Sequence, residues 1–180
     1  MLASLFFLPA LALAFPSQFE KRDGASISHS IDYINGNITT LNNTLNTFNK
    51  DKDAITAFTI QIQATDVTKS VDNAASTAKM SAPLSDTESA AVAGKVLNLQ
   101  PNINSLLDNL VKHKPQFDTA LFGFSASPLV VNTLKQAKNA SDTFGKDLTP
   151  KLSGVYQQAA PVVIMQIDEK FDQTIAKFQS

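Results

Sequence analysis

The chain has 180 residues, a formal net charge of −1 and no cysteine. Its charges nearly cancel and form no basic stripe or acidic tail, which argues against nucleic acid, histones or calcium as partners. Without disulfides its stability comes from packing, so a small loop-rich scaffold is excluded.

The first residues, "MLASLFFLPALALA", are an apolar run ending in Ala12-Leu13-Ala14. Small residues at the first and third places of that triplet suit signal peptidase, so residues 1–14 read as a signal peptide cleaved before Phe15. The run is shorter than the roughly 20 residues a membrane helix needs. Lys21-Arg22 is a dibasic pair in a loop-like segment, which marks residues 15–22 as a pro-segment. Residues 23–180 are then one domain with a real core. No second apolar span and no hydrophobic tail for a lipid anchor follows, so no transmembrane anchor is expected.

In the first mature segment Ile27, Ile31, Ile34, Ile38, Leu41, Leu45 and Phe48 recur at gaps of four and three. That spacing makes one apolar stripe on a long helix. Asn, Thr and Ser fill the other faces and are mediocre helix formers, so packing must hold the helix. A second helix follows Asp53, with Ile55, Phe58 and Ile62, then the smaller Val67, Val71, Ala74 and Ala78. Ser85 and Glu88 form a capping box that opens a third helix. Its stripe is Val92, Val96, Leu99, Ile103, Leu106, Leu107 and Leu110, ending near His113. Ser127-Pro128 and Thr149-Pro150 each pair a capping hydroxyl with a proline suited to a first helical turn. They are read as the starts of a fourth helix (Val130, Leu134, Ala137, Ser141, Phe144, Leu148) and a fifth (Val155, Ile164, Ile167, Phe171, Phe178). No strand-like alternation appears. The fold class is therefore all-α, an antiparallel bundle of about five helices. Pro101 and Pro161 fall inside two stripes; they either splay the bundle and leave an internal apolar cavity, or make ordinary kinks that side chains fill.

Catalytic chemistry is hard to find. There is no nucleophile elbow, no Walker loop and no H-E-x-x-H, and neither His29 nor His113 has a metal-ligand companion at helical spacing. No metal, cofactor or catalytic residue is assigned, and the chain is not read as an enzyme. His113, between Lys112 and Lys114, reads as a solvated cationic helix end, with an anionic head group as the alternative partner. Asp168, Glu169 and Asp172 read as an exposed face rather than an acid–base pair. Three sequons start at Asn37, Asn42 and Asn139. Asn139 lies opposite its helix stripe and would point a glycan to solvent, whereas Asn37 and Asn42 adjoin stripe residues.

What remains is apolar surface. In "DTALFGFSASPLVV", Leu121, Phe122 and Phe124 surround Gly123 where the backbone turns. Three readings stand open. The turn plugs the bundle end, it forms the movable rim of an apolar cavity, or it is an exposed patch that adheres to a hydrophobic solid.

The segments "SISHSIDYINGNITTLNNTLNTF", "INSLLDNLVKHKPQFDTA" and "SPLVVNTLKQAKNASDTFGKDL" resemble the fungal hydrophobic surface-binding protein A family, which includes the lipid-binding modules of antigenic cell-wall galactomannoproteins. The resemblance spans essentially the whole mature chain. It implies a secreted or cell-wall helical domain that binds apolar material. In some relatives this means adsorbing to a hydrophobic polymer surface and recruiting a polyester-degrading esterase; in others, enclosing a long-chain fatty acid. It carries no ligand contacts residue by residue. Periodicity alone proposes the site: Phe58, Ile62, Leu99, Ile103, Leu107, Leu121, Phe122, Phe124, Leu134, Ile164 and Ile167. Two functions follow, a fatty-acid carrier with a sizeable cavity and a surface-active adhesion protein with an exposed patch. A purely structural wall mannoprotein is the third.

Overall fold

The computed structural model describes residues 23–48, 54–121 and 123–180. The expected signal peptide and pro-segment, and the proposed site residue Phe122, lie outside the described residues. Five long helices dominate: α1 (Gly24–Thr47), α2 (Ala54–Met80), α3 (Asp86–Lys112), α5 (Ser127–Leu148) and α6 (Gly154–Gln179). A single turn, α4 (Lys114–Phe117), follows α3, and a 3-10 turn (Thr149–Lys151) follows α5.

The α1 stripe is buried from Ile27 to Phe48, as its spacing requires. Asp23 caps the helix by accepting from the N–H groups of Ala25 and Ser26 at 3.0 and 3.3 Å. The Ser85–Glu88 capping box is present at the start of α3. The first turns of α2 correct its expected register, whereas Val67, Ala74 and Ala78 of the expected stripe are buried. Ile55, Phe58 and Ile62 are exposed, while Ile60, Val67, Ala74, Ala75 and Ala78 are buried. The first turns of α2 carry bulky apolar side chains on one face and small ones on another. The face that turns inward is the one carrying Ala57, Ile60 and Ala64, because it continues as Val67, Val71, Ala74 and Ala78 through the rest of the helix.

Two starts also differ from expectation. Ser127 is already helical and its hydroxyl donates to Asp118 Oδ1 at 2.6 Å; Ser125 Oγ instead accepts from the Ser127 N–H at 3.1 Å. Thr149-Pro150 opens only the 3-10 turn, and α6 begins at Gly154, whose φ is +50°. Val155 accordingly points to solvent. Both α3 and α6 run on as helices through Pro101 and Pro161.

Consecutive long helices alternate in direction, yet the principal packing pairs are α1 with α2 and α3, α5 with α2 and α6, and α3 with α6. These five contacts close a ring, in the order α1, α2, α5, α6, α3. Three of its seams are parallel. Along α1 and α3, Asp32 pairs with Lys95, Asn35 with Asn102, and Asn42 with Asn109, at 2.7 to 2.9 Å. Along α3 and α6, Ser89 meets Ser153 and Asp108 meets Lys170. Along α2 and α5, Gln61 meets Thr133 and the Ser81 carbonyl meets Lys151.

A ring of five has a geometric consequence. With neighbouring axes about 9 Å apart, each axis lies about 8 Å from the centre, whereas side chains reach only about 5–6 Å from their own axis. Ordinary side chains do not fill such a centre. Where α1 and α6 finish, aromatic rings pack together: the Phe117 ring lies 4.9 Å from Phe48 and 5.9 Å from Phe178, and all three are buried.

Candidate functional site: an apolar pocket within the helical ring

An apolar pocket of about 670 Å³ occupies the space the ring leaves. This lies within the range of small-molecule sites, about 300–1,000 Å³. Each of the five long helices contributes to its wall. Of the residues proposed from periodicity, Phe58, Leu99, Ile103, Leu107 and Leu121 stand on that wall. Leu134, Ile164 and Ile167 stand there too. Ile62 does not; it is 48% exposed on the outer face of α2. Phe124 is 76% exposed and also off the wall. Phe58, Leu97, Leu121 and Leu129 both line the pocket and reach solvent; Phe58 and Leu129, in the first turns of α2 and α5, and Leu121 just before α5 mark a mouth there.

The sequence reading missed the small residues that give the pocket its width. Ala90, Ala93 and Gly94 on α3 and Ala159 and Ala160 on α6 face the space without filling it. A Cβ built at Gly94 meets nothing within 4 Å. An alanine-rich stretch on a buried face was the available signal, since it shortens side chains where a ring already has too little to fill its centre.

The turn before α5 is a tight reversal. Leu121 and Phe124 exchange backbone hydrogen bonds at 3.0 and 2.9 Å, and Gly123 takes φ +92°, a conformation that favours glycine. Its base is pinned by Asp118, which accepts from Ser127 and Ser125 and pairs with Lys114 at 3.0 Å. The Ser127 hydroxyl first, then Lys114, hold the Asp118 carboxyl below the usual carboxylate range. With Phe124 outside and Leu121 partly exposed, the described part of this turn does not plug the bundle; the buried aromatic packing nearby is Phe48, Phe117 and Phe178.

Polar groups on the wall are few. Gln61 and Thr133 meet across α2 and α5, and Ser141, Thr149 and Tyr156 complete the polar lining. No Lys, Arg, His, Asp or Glu lines the pocket among the described residues. His113 is buried rather than solvated, its Nδ1–H donating to the Asn109 carbonyl at 2.9 Å. Asp168 is likewise not a plain surface carboxylate. It lies 3.9 Å from Lys138, and burial, then Asp142, raise its pKa to about 6. No cluster of three or more His, Cys, Asp or Glu suited to a metal exists among the described residues.

The sequons differ in access. Asn139 is exposed on α5, the Asn42 side chain accepts from Asn109, and the Asn37 Nδ2 is shut away from water without a partner among the described residues.

An all-α ring around an apolar pocket defines the class, a helical domain shaped to hold an apolar guest. The chain belongs to the hydrophobic surface binding protein A family, whose sequence pattern matches residues 24–150. No curated protein sequence matches it. Among solved structures it is similar to AFMP4P in complex with palmitic acid, at 28% identity and a TM-score of 0.81, covering 87% of this chain and 99% of that one. It shares its fold with ligand binding domain 1 of Penicillium marneffei MP1 protein complexed with arachidonic acids, at 18% identity and a TM-score of 0.77, covering 86% of this chain and 98% of that one. Domain 2 of the same protein, complexed with multiple arachidonic acids, is 20% identical with a TM-score of 0.78, covering 88% and 97%. No described helix is long and apolar enough to cross a membrane.

Proposed function

We infer that this protein is a non-catalytic, exported carrier that holds a long-chain fatty acid or similar apolar ligand inside the helical ring. The observation that carries the reading is the pocket of about 670 Å³, whose wall is almost entirely hydrocarbon. The similarity to a palmitic-acid complex supports it. Roughly a dozen methylenes buried at about 0.8 kcal/mol each supply about 10 kcal/mol. This exceeds the lower estimates of association cost, about 4 kcal/mol. The amino-terminal apolar run supports export to the extracellular space or cell wall, and Asn139 is the sequon best placed for a glycan.

A second reading rests on the exposed apolar side chains at and near the mouth. Ile55, Phe58 and Phe124 are each at least two-thirds exposed, a feature of proteins that adsorb to apolar surfaces. That reading includes attachment to a hydrophobic polymer and recruitment of a secreted esterase.

Native mass spectrometry of the secreted, deglycosylated protein separates the two. A one-to-one adduct after incubation with palmitic acid is expected. A mass unchanged by palmitic acid, together with retention on hydrophobic polymer beads, would overturn the carrier reading in favour of adsorption.

A further inference from the structure

The wall of the pocket is hydrocarbon except at a few points, and only one of those joins two helices. Gln61 on α2 and Thr133 on α5 meet about one helical turn in from Phe58 and Leu129 at the mouth. The Gln61 Nε2 lies 3.0 Å from Thr133 Oγ1, and the Gln61 Oε1 lies 3.2 Å from the same oxygen. The Thr133 hydroxyl also reaches the Leu129 carbonyl at 3.0 Å. One hydroxyl proton therefore faces two acceptors. With the proton on the Leu129 carbonyl, Thr133 accepts from Gln61, and the Gln61 Oε1 and its second N–H are left for a third partner.

An amide with a donor and an acceptor site to spare beside a hydrocarbon space suits a partner that gives one hydrogen bond and takes another. A carboxylic acid does both through its O–H and C=O, as do an alcohol and a primary amide. An ionised carboxylate has no proton to give the Gln61 oxygen, and its charge is costly to bury without a cation. Among the described residues, the other polar wall groups do not supply one. Thr149 donates to the Gly145 carbonyl at 2.7 Å, and Ser141 and Tyr156 are neutral.

We propose that Gln61 and Thr133 form the head-group subsite of this pocket, and that it takes long-chain lipids with an uncharged head: a protonated carboxylic acid, an alcohol or a primary amide. This rests on the carrier reading and narrows it. From Thr133 to Thr149 the α5 wall runs on for about 24 Å at 1.5 Å per residue, space for an extended acyl chain beyond the head.

The consequence is a dependence on pH that belongs to the ligand. A fatty acid free in water ionises near the ordinary carboxyl range, about pH 4–5. Bound neutral, its affinity is constant below that range and falls by up to about tenfold per pH unit above it, until the bound acid itself ionises. An alcohol has no such slope.

The test measures affinities of palmitic acid, hexadecanol, palmitamide and headless hexadecane at about pH 5.5 and 7.5, for the wild type and for Gln61→Leu and Thr133→Val. In the wild type, palmitic acid is expected to weaken by about tenfold or more across that interval, while the three uncharged ligands hold steady. Gln61→Leu is expected to weaken the alcohol and amide several-fold and to leave hexadecane unchanged or tighter. Palmitic acid binding that does not change with pH would overturn the proposal, since a carboxylate would then be welcome. Equal loss of hexadecane and hexadecanol in Gln61→Leu would also overturn it, reducing Gln61 to a packing role. Failure of every ligand in the wild type would instead sink the carrier reading beneath it.

Discussion

At the α5–α6 seam, Asp142, Asp168 and Asp172 share the ammonium of Lys138 at 3.8, 3.9 and 3.8 Å. One oxygen of Asp142 and one of Asp168 are shut away from water and receive no hydrogen bond from the described residues. Burial acts first and the facing Asp142 second to raise the Asp168 pKa to about 6, against the help of Lys138. A carboxyl whose pKa is higher folded than unfolded binds its proton more tightly in the folded state. Its destabilising charge is absent below about pH 4 and complete above about pH 6, so stability falls as pH rises through that window. The effect is of order 1–3 kcal/mol. Asp168→Asn should therefore be more stable than wild type at pH 7.5 and nearly equal to it at pH 4, measured by urea unfolding at both. An equal difference at the two pH values would mean that the Asp168 charge is not the cause. The sequence concealed this residue. Asp168 reads as surface because its α6 neighbours Glu169 and Asp172 are exposed, and only the fold shows that α5 leans over it.

At the scale of the elements, Glu88 ties two helix starts together. Its Oε2 accepts from the Ser85 N–H at 2.9 Å, closing the capping box of α3. Its Oε1 accepts from the Gly24 N–H at 3.4 Å, at the start of α1. The parallel packing of α1 and α3 brings both amino ends to one carboxylate, where the two dipoles favour negative charge. Gly24 makes this approach possible, since a Cβ there would lie 2.7 Å from the Glu88 Cβ. Ser85→Ala loses one cap and should cost about 1 kcal/mol. Glu88→Ala loses contacts at two helices and should cost more, about 1–2 kcal/mol; urea midpoints rank the two. A Glu88→Ala cost no larger than that of Ser85→Ala would show that the link to α1 contributes nothing. The capping box and the α1 stripe were legible because each is a local pattern within a few residues. The partnership with Gly24 was not, because it depends on two helices running parallel across a ring. The α1–α3 ladder was closer to legible: Asn35 and Asn42, like Asn102 and Asn109, sit seven residues apart on one face. Polar residues on a helix are usually solvated, so the spacing did not identify them as a seam. The register of the first α2 turns failed for a related reason, because Ile55, Phe58 and Ile62 outweigh Ala57 and Ala64 in any count of hydrophobicity.

For the whole molecule, the question is whether the ring is open by design or merely loosely packed. Periodicity tells which side chains point inward, and eight of the eleven residues it proposed stand on the pocket wall. It does not tell how much space those side chains leave. That depends on the number of helices in the ring and on small residues such as Ala93, Gly94 and Ala160, which look like ordinary helix formers. Ala137 lines the pocket from the middle of α5 and decides between the two possibilities. If the space is real, Ala137→Phe projects a ring into it without displacing anything and buries new apolar surface. Its unfolding midpoint without ligand should then equal or exceed that of the wild type, while affinity for palmitic acid falls at least about tenfold. The midpoint gain that the wild type shows with excess ligand, about 2.7 kcal/mol at a hundredfold excess over Kd, should largely vanish. If side chains already fill the centre, the same substitution overpacks it and costs about 1–3 kcal/mol. Thermal unfolding of wild type and variant, each with and without palmitic acid, distinguishes these outcomes. A destabilised variant that still binds would place the ligand elsewhere than the ring, and would point to the exposed residues around Phe58 and Phe124.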